Sequence, residues 1–407
     1  MHKIMVVYGT RPEAIKVAPV IRALRDDSGF DLVTAATGQH RHMLDQVIKL
    51  FDIVPDVDLD MLRPRQTLPG MTQHLLAEVG PLLHRYRPDI VLVQGDTTTA
   101  FTTALAAFYE RVPVAHLEAG LRTGDIWAPY PEEANRRLIS SLAALHLAPT
   151  PTAAANLLAE TVPPGNVVVT GNTVIDALHW AVAHSAGYGD PALNALDHED
   201  APVLLVTAHR RESWGRPLRQ VGDALARLAA AEPRLRIVIP AHRNPAVREA
   251  LLPPLDGCPN VIVVEPLDYA GFSRLMNRCD LILTDSGGIQ EEGPSLGKPV
   301  LVMRKTTERP EGVDAGTALL VGTDPAVIVP RVRTLLHDDA AYRRVANAVN
   351  PYGDGRATGR VVAALAHFFG SGPAPEPFTP DVRTTGHRQI DIPVPRAYQT
   401  TGAPRRS

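Results

Sequence analysis

Two doubly wound α/β domains in tandem are the architecture that this 407-residue sequence predicts. Short apolar runs rich in β-branched residues alternate with longer helix-period segments almost from end to end, the pattern of parallel sheets covered by helices. The alternation breaks once, over the linker-like stretch 187–201, and a second series then begins. A chain of this length also exceeds one ordinary core, so two domains of similar size are expected.

In the first series the runs at 4–8, 31–36, 90–94, 112–117, 145–148 and 167–170 read as strands. Helical patterns fall between them, among others at 13–25, 72–86, 97–110 and 132–143. The second series places strands near 203–207, 235–239, 261–264, 280–284 and 299–303. Strands alternating with helices of these lengths build βαβ units. The segment 354–369, opening Asp354-Gly355-Arg356, reads as a final helix. After Gly370 apolar periodicity is lost and Pro, Thr, Arg and Gly dominate, so 371–407 is expected to be a disordered tail. The expected domains are 1–172 and 173–353, followed by the helical segment 354–370.

Composition narrows the class. Hydrophobic residues at 45%, charged residues at 21% and a net charge of −3 describe a globular enzyme and argue against a nucleic-acid partner. Cys258 and Cys279 lack metal spacing, and two thiols in so long a chain suggest a reducing, cytoplasmic setting. The N-terminus passes directly from Met1-His2-Lys3 into a first strand, and no apolar run reaches membrane-spanning length.

In open parallel sheets ligands bind beyond the carboxyl ends of the strands. Those ends are chemically loaded here. They carry Gly9-Thr10-Arg11-Pro12-Glu13 with Lys16, Gln94-Gly95-Asp96-Thr97, and His116-Leu117-Glu118-Ala119-Gly120-Leu121-Arg122 in the first series. The second adds Thr207-Ala208-His209-Arg210-Arg211-Glu212, Pro240-Ala241-His242-Arg243 and Thr284-Asp285-Ser286-Gly287-Gly288. The last is either a phosphate cradle, with free backbone N–H groups at a positive helix end, or a plain strand-to-helix turn capped by Ser286. Asp96 has a bland alternative as a helix N-cap. Glu132 and Glu133, after Pro131, suit a helix dipole without any catalytic duty. Glu118 ends an apolar strand, where a partly buried carboxylate needs a partner. Several strand ends each carrying an ionisable group are hard to explain by capping alone.

The chain lacks a G-x-x-x-x-G-K-[ST] loop and a G-x-G-x-x-G after its first strand, so ATP hydrolysis and ordinary NAD binding lose support. It also lacks H-E-x-x-H and a G-x-S-x-G elbow. A site without metal or cofactor is expected.

Taken together, Val6-Val7-Tyr8-Gly9-Thr10-Arg11-Pro12-Glu13-Ala14-Ile15-Lys16, Gln94-Gly95-Asp96-Thr97-Thr98-Thr99, His116-Leu117-Glu118-Ala119-Gly120-Leu121-Arg122-Thr123-Gly124, Pro131-Glu132-Glu133-Ala134-Asn135-Arg136, Gly171-Asn172-Thr173-Val174-Ile175-Asp176, His209-Arg210-Arg211-Glu212 and the block 284–311 resemble the non-hydrolysing bacterial UDP-N-acetylglucosamine 2-epimerases. The resemblance covers roughly residues 3–369 in one register. It implies a GT-B-like fold: two Rossmann-like domains, the active site in the interdomain cleft and the last helix crossing back to the first domain. The implied reaction interconverts UDP-GlcNAc and UDP-ManNAc by eliminating UDP to 2-acetamidoglucal and adding it back, supplying ManNAc units for cell-surface polysaccharide.

By match to the family motifs, Asp96, Glu118, Glu132 and His209 are implied as catalytic. Arg11, Lys16, Arg210, Ser286, Gly287, Gly288 and Arg309 are implied to hold the diphosphate and neighbouring groups, with Glu292 on the ribose and Phe272 near uracil. Gln39, Arg65, Gln66 and His242 match an activator site for a second UDP-GlcNAc, although Gly38 and His42 depart from the residues frequent there. A homodimer, no cofactor and no membrane or nucleic-acid partner complete the expectation. The alternatives are an epimerase for a modified UDP-sugar, a hydrolysing 2-epimerase, a GT-B glycosyltransferase and a non-catalytic UDP-sugar sensor.

Overall fold

The computed structural model describes residues 1–38, 41–61 and 66–380, with the side chains of 41–44 excepted. The chain forms two compact units, one made of Met1–Trp180 with Tyr352–Pro380 and the other of Ala181–Pro351. The unit boundary thus falls at 180/181, within the helix that follows Asn172, rather than at the loop where that helix begins.

The first unit runs β1 (His2–Tyr8), α1 (Arg11–Asp26), β2 (Phe30–Ala36), α2 (Arg41–Phe51), β3 (Val57–Asp58), α3 (Leu68–Tyr86), β4 (Ile90–Gln94), α4 (Thr98–Tyr109), β5 (Val114–Leu117), α5 (Glu132–Leu142), β6 (Leu145–Ala148), α6 (Pro151–Ala159), β7 (Val167–Val169) and α7 (Thr173–His184). Its sheet has the order β3-β2-β1-β4-β5-β6-β7, and every pairing is parallel. The central strands are buried throughout because helices cover both faces, which explains why they read as continuous apolar runs. Chain order reverses between β1 and β4, so the turns after these two strands flank a topological switch point.

The second unit repeats the plan with β8 (Val203–Thr207), α8 (Arg216–Ala231), β9 (Arg236–Pro240), α9 (Pro245–Leu251), β10 (Val261–Val264), α10 (Tyr269–Arg278), β11 (Leu281–Thr284), α11 (Gly287–Ser295), β12 (Val300–Val302), α12 (Pro310–Asp314), β13 (Ala318–Leu320), α13 (Pro325–His337) and α14 (Asp339–Ala346). The order β10-β9-β8-β11-β12-β13 is again wholly parallel, with its switch point between β8 and β11. Its core interdigitates Leu204, Val206, Ile237 and Leu283 with Leu225, Leu228, Val332 and Leu336 of the covering helices.

The final helix, α15 (Ala357–Phe368), belongs to the first unit and packs on α1. Two edge strands were absent from the sequence expectation. β3 has two residues and β13 three, too short to show a period. The stretch 371–380 also differs from the tail expected there. Phe378 is 4% exposed and its N–H donates to Val169 O at 2.8 Å, so this segment is tied to β7. Residues 381–407, the rest of that expected tail, lie outside the described residues. Among the described residues no helix is long and apolar enough to cross a membrane.

Candidate active site

In the first unit the ionisable residues gather at the carboxyl ends of β1, β4 and β5. Glu118 directly follows β5 and is 9% exposed. Its backbone is left-handed, with φ of 65°, a conformation that costs a non-glycine residue about 1–3 kcal/mol. What holds it there is a ring of donors: Lys16 Nζ at 2.5 and 2.6 Å, Asn172 Nδ2 at 3.1 Å, and Gln94 Nε2. A buried carboxylate is tolerable with a cation and amides around it. Lys16, expected on the diphosphate, is therefore placed on the catalytic candidate Glu118.

Asp96 is not a helix cap. Thr97 takes that role, accepting from Ala100 N, and Asp96 instead binds Arg136 through Nη2 and, at 3.1 Å, Nε. Arg136 Nη1 also donates to Glu133 at 3.1 Å, and Glu133 accepts from Arg137 Nε at 2.9 Å and Thr123 N at 3.1 Å. Burial pushes the Glu133 carboxyl up, but these donors outweigh it and leave it below the usual range. Glu133 is thus the structural member of the Glu132-Glu133 pair. Glu132 is half-buried at the first position of α5.

Glu13 closes a capping box with Thr10 at the start of α1, accepting from Gly9 N at 3.1 Å and Thr10 N at 2.7 Å. Its other oxygen accepts from Thr97 Oγ1 at 2.7 Å. Arg11 opens α1 and is half-buried beside this box.

In the second unit His209 follows β8, and its Nδ1 lies 3.1 Å from Asp285 Oδ1. Asp285, 1% exposed, accepts the backbone N–H groups of His209 and Arg210 on its other oxygen, both at 2.9 Å. Burial opposes its charge, yet the His209 ring and these amides hold its carboxyl below the usual range. The carboxylate thus lies beside the Nδ1 edge of the ring and leaves its Nε2 edge turned away from Asp285. The His242 ring stacks 6.2 Å away and accepts from Asn244 N through its own Nδ1 at 3.2 Å.

Ser286 stands at the N-cap of α11, but its hydroxyl makes no capping bond. Ser286 therefore does not cap α11 through its side chain. A Cβ at Gly287 would sit 3.5 Å from Arg210 Nη2 and 3.9 Å from Glu308 Oε2, so cation, acid and helix end share one small space. Glu308 binds Arg210 at 3.2 Å and Arg304 at 3.3 Å, while Arg304 also meets Glu212 at 3.1 Å. Arg309 pairs through Nε with the buried Glu291, and Glu292 accepts from Tyr269 Oη at 3.0 Å. Phe272 is half-buried on α10. Of the activator candidates, Gln66 and His242 are described, and Gln39 and Arg65 lie outside the described residues.

Gln94, Asn172, Arg136, Asp285, Glu291 and Glu308 lie inside the quoted motifs but were given no role from the sequence, although each holds a candidate in place. Cys279 is buried and its thiol is pushed up to about 12 by desolvation, which disfavours the thiolate. Among the described residues no group of three or more His, Cys, Asp and Glu could hold a metal ion.

Two parallel α/β units, each with charged and polar residues gathered at the carboxyl ends of its strands, define the class: a protein of two doubly wound domains. Residues 22–366 match the family model described as UDP-N-acetylglucosamine 2-epimerase. The chain belongs to that family. It is 52% identical over 369 residues to the UDP-N-acetylglucosamine 2-epimerase of Escherichia coli K12, covering 89% of this chain and 98% of that one. The Salmonella typhimurium enzyme of the same name is 51% identical over 90% of this chain and 99% of its own. A solved structure of UDP-GlcNAc 2-epimerase from Neisseria meningitidis bound to UDP-GlcNAc superposes with a TM-score of 0.81 at 45% identity, covering 90% of this chain and 100% of that one.

Proposed function

We propose that this chain interconverts UDP-GlcNAc and UDP-ManNAc by elimination and re-addition of UDP. Family membership makes it an epimerase, an isomerase that needs no net oxidation or co-substrate. The observation that carries the mechanism is the buried, left-handed Glu118 held between Lys16, Gln94 and Asn172.

The sugar C2 proton is not acidic, so it leaves only as the C1–O bond to UDP breaks. A carboxylate takes that proton while the electron pair of the C2–H bond forms the double bond of 2-acetamidoglucal. The bonding pair at C1 departs with UDP. Asp96, Glu118 and Glu132 are the carboxylates proposed for proton removal and return on the two faces. His209, fixed by Asp285, stabilises the charge developing on the diphosphate. Arg210 and the α11 end, with Ser286, Gly287 and Gly288, supply the remaining positive potential. Arg11, Lys16 and Arg309 add cationic support, Glu292 accepts from the ribose and Phe272 lies near uracil. Re-addition of UDP with the proton delivered to the opposite face of C2 completes the cycle.

A cytoplasmic homodimer with a second UDP-GlcNAc as activator at Gln39, Arg65, Gln66 and His242 belongs to the same proposal. Proton NMR of UDP-GlcNAc with the protein in D₂O tests the core of it. UDP-ManNAc carrying deuterium at C2 is expected. Free ManNAc with UDP would identify a hydrolysing enzyme, and no turnover without an added acceptor would reject epimerisation.

A further inference from the structure

The chain beyond α15 returns to the turn that carries Asn172. Asn172 has two duties: its Oδ1 accepts from Val174 N at 3.1 Å at the start of α7, and its Nδ2 donates to Glu118 at 3.1 Å. Its position therefore sets one side of the ring of donors around Glu118. Residues 352–378 grip this turn at three points. Asn172 N donates to Tyr352 O at 2.7 Å, Arg360 Nη1 donates to Thr170 O at 3.3 Å, and Phe378 N donates to Val169 O at 2.8 Å.

The Phe378 ring locks the grip. It is buried, lies under the Arg360 guanidinium at 5.5 Å and approaches the space a Cβ at Gly171 would fill, 3.7 Å from that point. Arg360 is fixed in turn by both oxygens of Asp354 at 2.8 Å each. A cation over an aromatic face is worth about 0.5–2 kcal/mol, rising as the pair is desolvated. Phe378 touches no reacting group, yet a short chain of contacts joins it to Glu118 through Asn172.

We propose that Phe378 is a positioning residue for catalysis, latching the 169–172 turn so that the Asn172 amide stays on the Glu118 carboxylate. This rests on the catalytic assignment of Glu118 made above. A merely structural Phe378 would lower the amount of folded protein and leave turnover per folded molecule unchanged.

The test uses the full chain and UDP-GlcNAc, with kcat normalised to folded protein. Phe378→Ala is expected to lower kcat about tenfold and leave KM within about twofold. Phe378→Leu, which refills most of the space, is expected to recover most of the loss. If the latch acts through Asn172, adding Phe378→Ala to Asn172→Ala costs nothing further. Wild-type kcat in Phe378→Ala, or a loss that multiplies with that of Asn172→Ala, overturns the proposal. Should Phe378→Ala fail to fold, Phe378→Val, which also leaves much of the ring's space empty, takes its place in the same double-variant comparison with the same deciding outcomes. Glu118→Gln serves as the separate control: an active Glu118→Gln overturns the catalytic assignment and the latch with it, whereas an inactive one beside a normal Phe378→Ala overturns the latch alone.

Discussion

Lys16 Nζ meets both carboxylate oxygens of Glu118, at 2.5 and 2.6 Å, across 102 residues of sequence. Both side chains are largely shielded from water, so the cation is what makes the buried acid tolerable. Lys16→Met is expected to cost about 3 kcal/mol of stability and to abolish turnover. Adding Glu118→Gln to it removes the uncompensated charge, so a urea titration should show stability regained while activity stays absent. A stable, active Lys16→Met would contradict this pairing.

Glu308 lies against Arg210 and Arg304 at the head of α11, where the proposed diphosphate would bind. Burial raises its carboxyl, and the three arginines 210, 304 and 309 more than reverse that. Glu308→Gln removes an internal competitor, so calorimetry should record UDP binding roughly twofold to tenfold tighter. Weaker binding would instead make Glu308 a scaffold for the arginines.

Asp285→Asn should leave the β8–β11 fold intact, because an amide oxygen still accepts from the backbone of His209 or Arg210. It takes away the negative partner of His209 Nδ1. A fall in kcat of about ten- to hundredfold is expected, with KM altered far less in steady-state assays.

Gly120 has φ of 90°, and a Cβ there would lie 2.1 Å from Ala153 O. Neither the backbone angle nor α6 leaves room for a methyl group. Gly120→Ala should destabilise by about 3 kcal/mol or more, readable as a lowered thermal midpoint. Because Gly120 lies two residues after Glu118, the folded remnant should also turn over slowly.

His116 and His146 face one another in register on β5 and β6, both buried. Burial lowers them to about 3 and about 4 respectively, so both are neutral in the folded unit at ordinary pH. The unfolded chain takes up protons near pH 6.5, and the folded one does so only near 4 or below. Stability is therefore lost as pH falls through that window, by up to about 1.4 kcal/mol per pH unit for each histidine. Buried Glu13, raised by burial, works in the opposite direction. The histidine share is isolated by His146→Gln, whose stability relative to the parent should rise between pH 7 and pH 5 in denaturant titrations.

The two sheets were legible because central parallel strands such as Ile90–Gln94 and Leu281–Thr284 are buried on both faces and so stay apolar along their whole length. Charged residues at the strand ends were visible for the converse reason. What stayed hidden was neutral or shared. Gln94 and Asn172 are amides with no charge to draw attention, and their importance depends on meeting Glu118 in space. Asp285 lay in plain sight within a glycine-rich turn, where an acid reads as turn chemistry until the fold brings His209 beside it. Asp96 reads as a plausible cap in sequence, and only the fold, with Thr97 accepting from Ala100 N and Arg136 arriving from α5 onto Asp96, takes that role away. Phe378 was masked by the composition of the segment around it.

Glu13 ties the turn after β1 to the turn after β4, through Gly9, Thr10 and Thr97. Arg11 and Asp96 ride on those two turns, so variation in either is inherited by the other. A mutational library drawn over positions 9–16 alone would then be dominated by losses traceable to residue 13. Substitutions at 13 should become tolerable only when position 97 changes with it, which makes this pair a place to look for covariation across natural sequences.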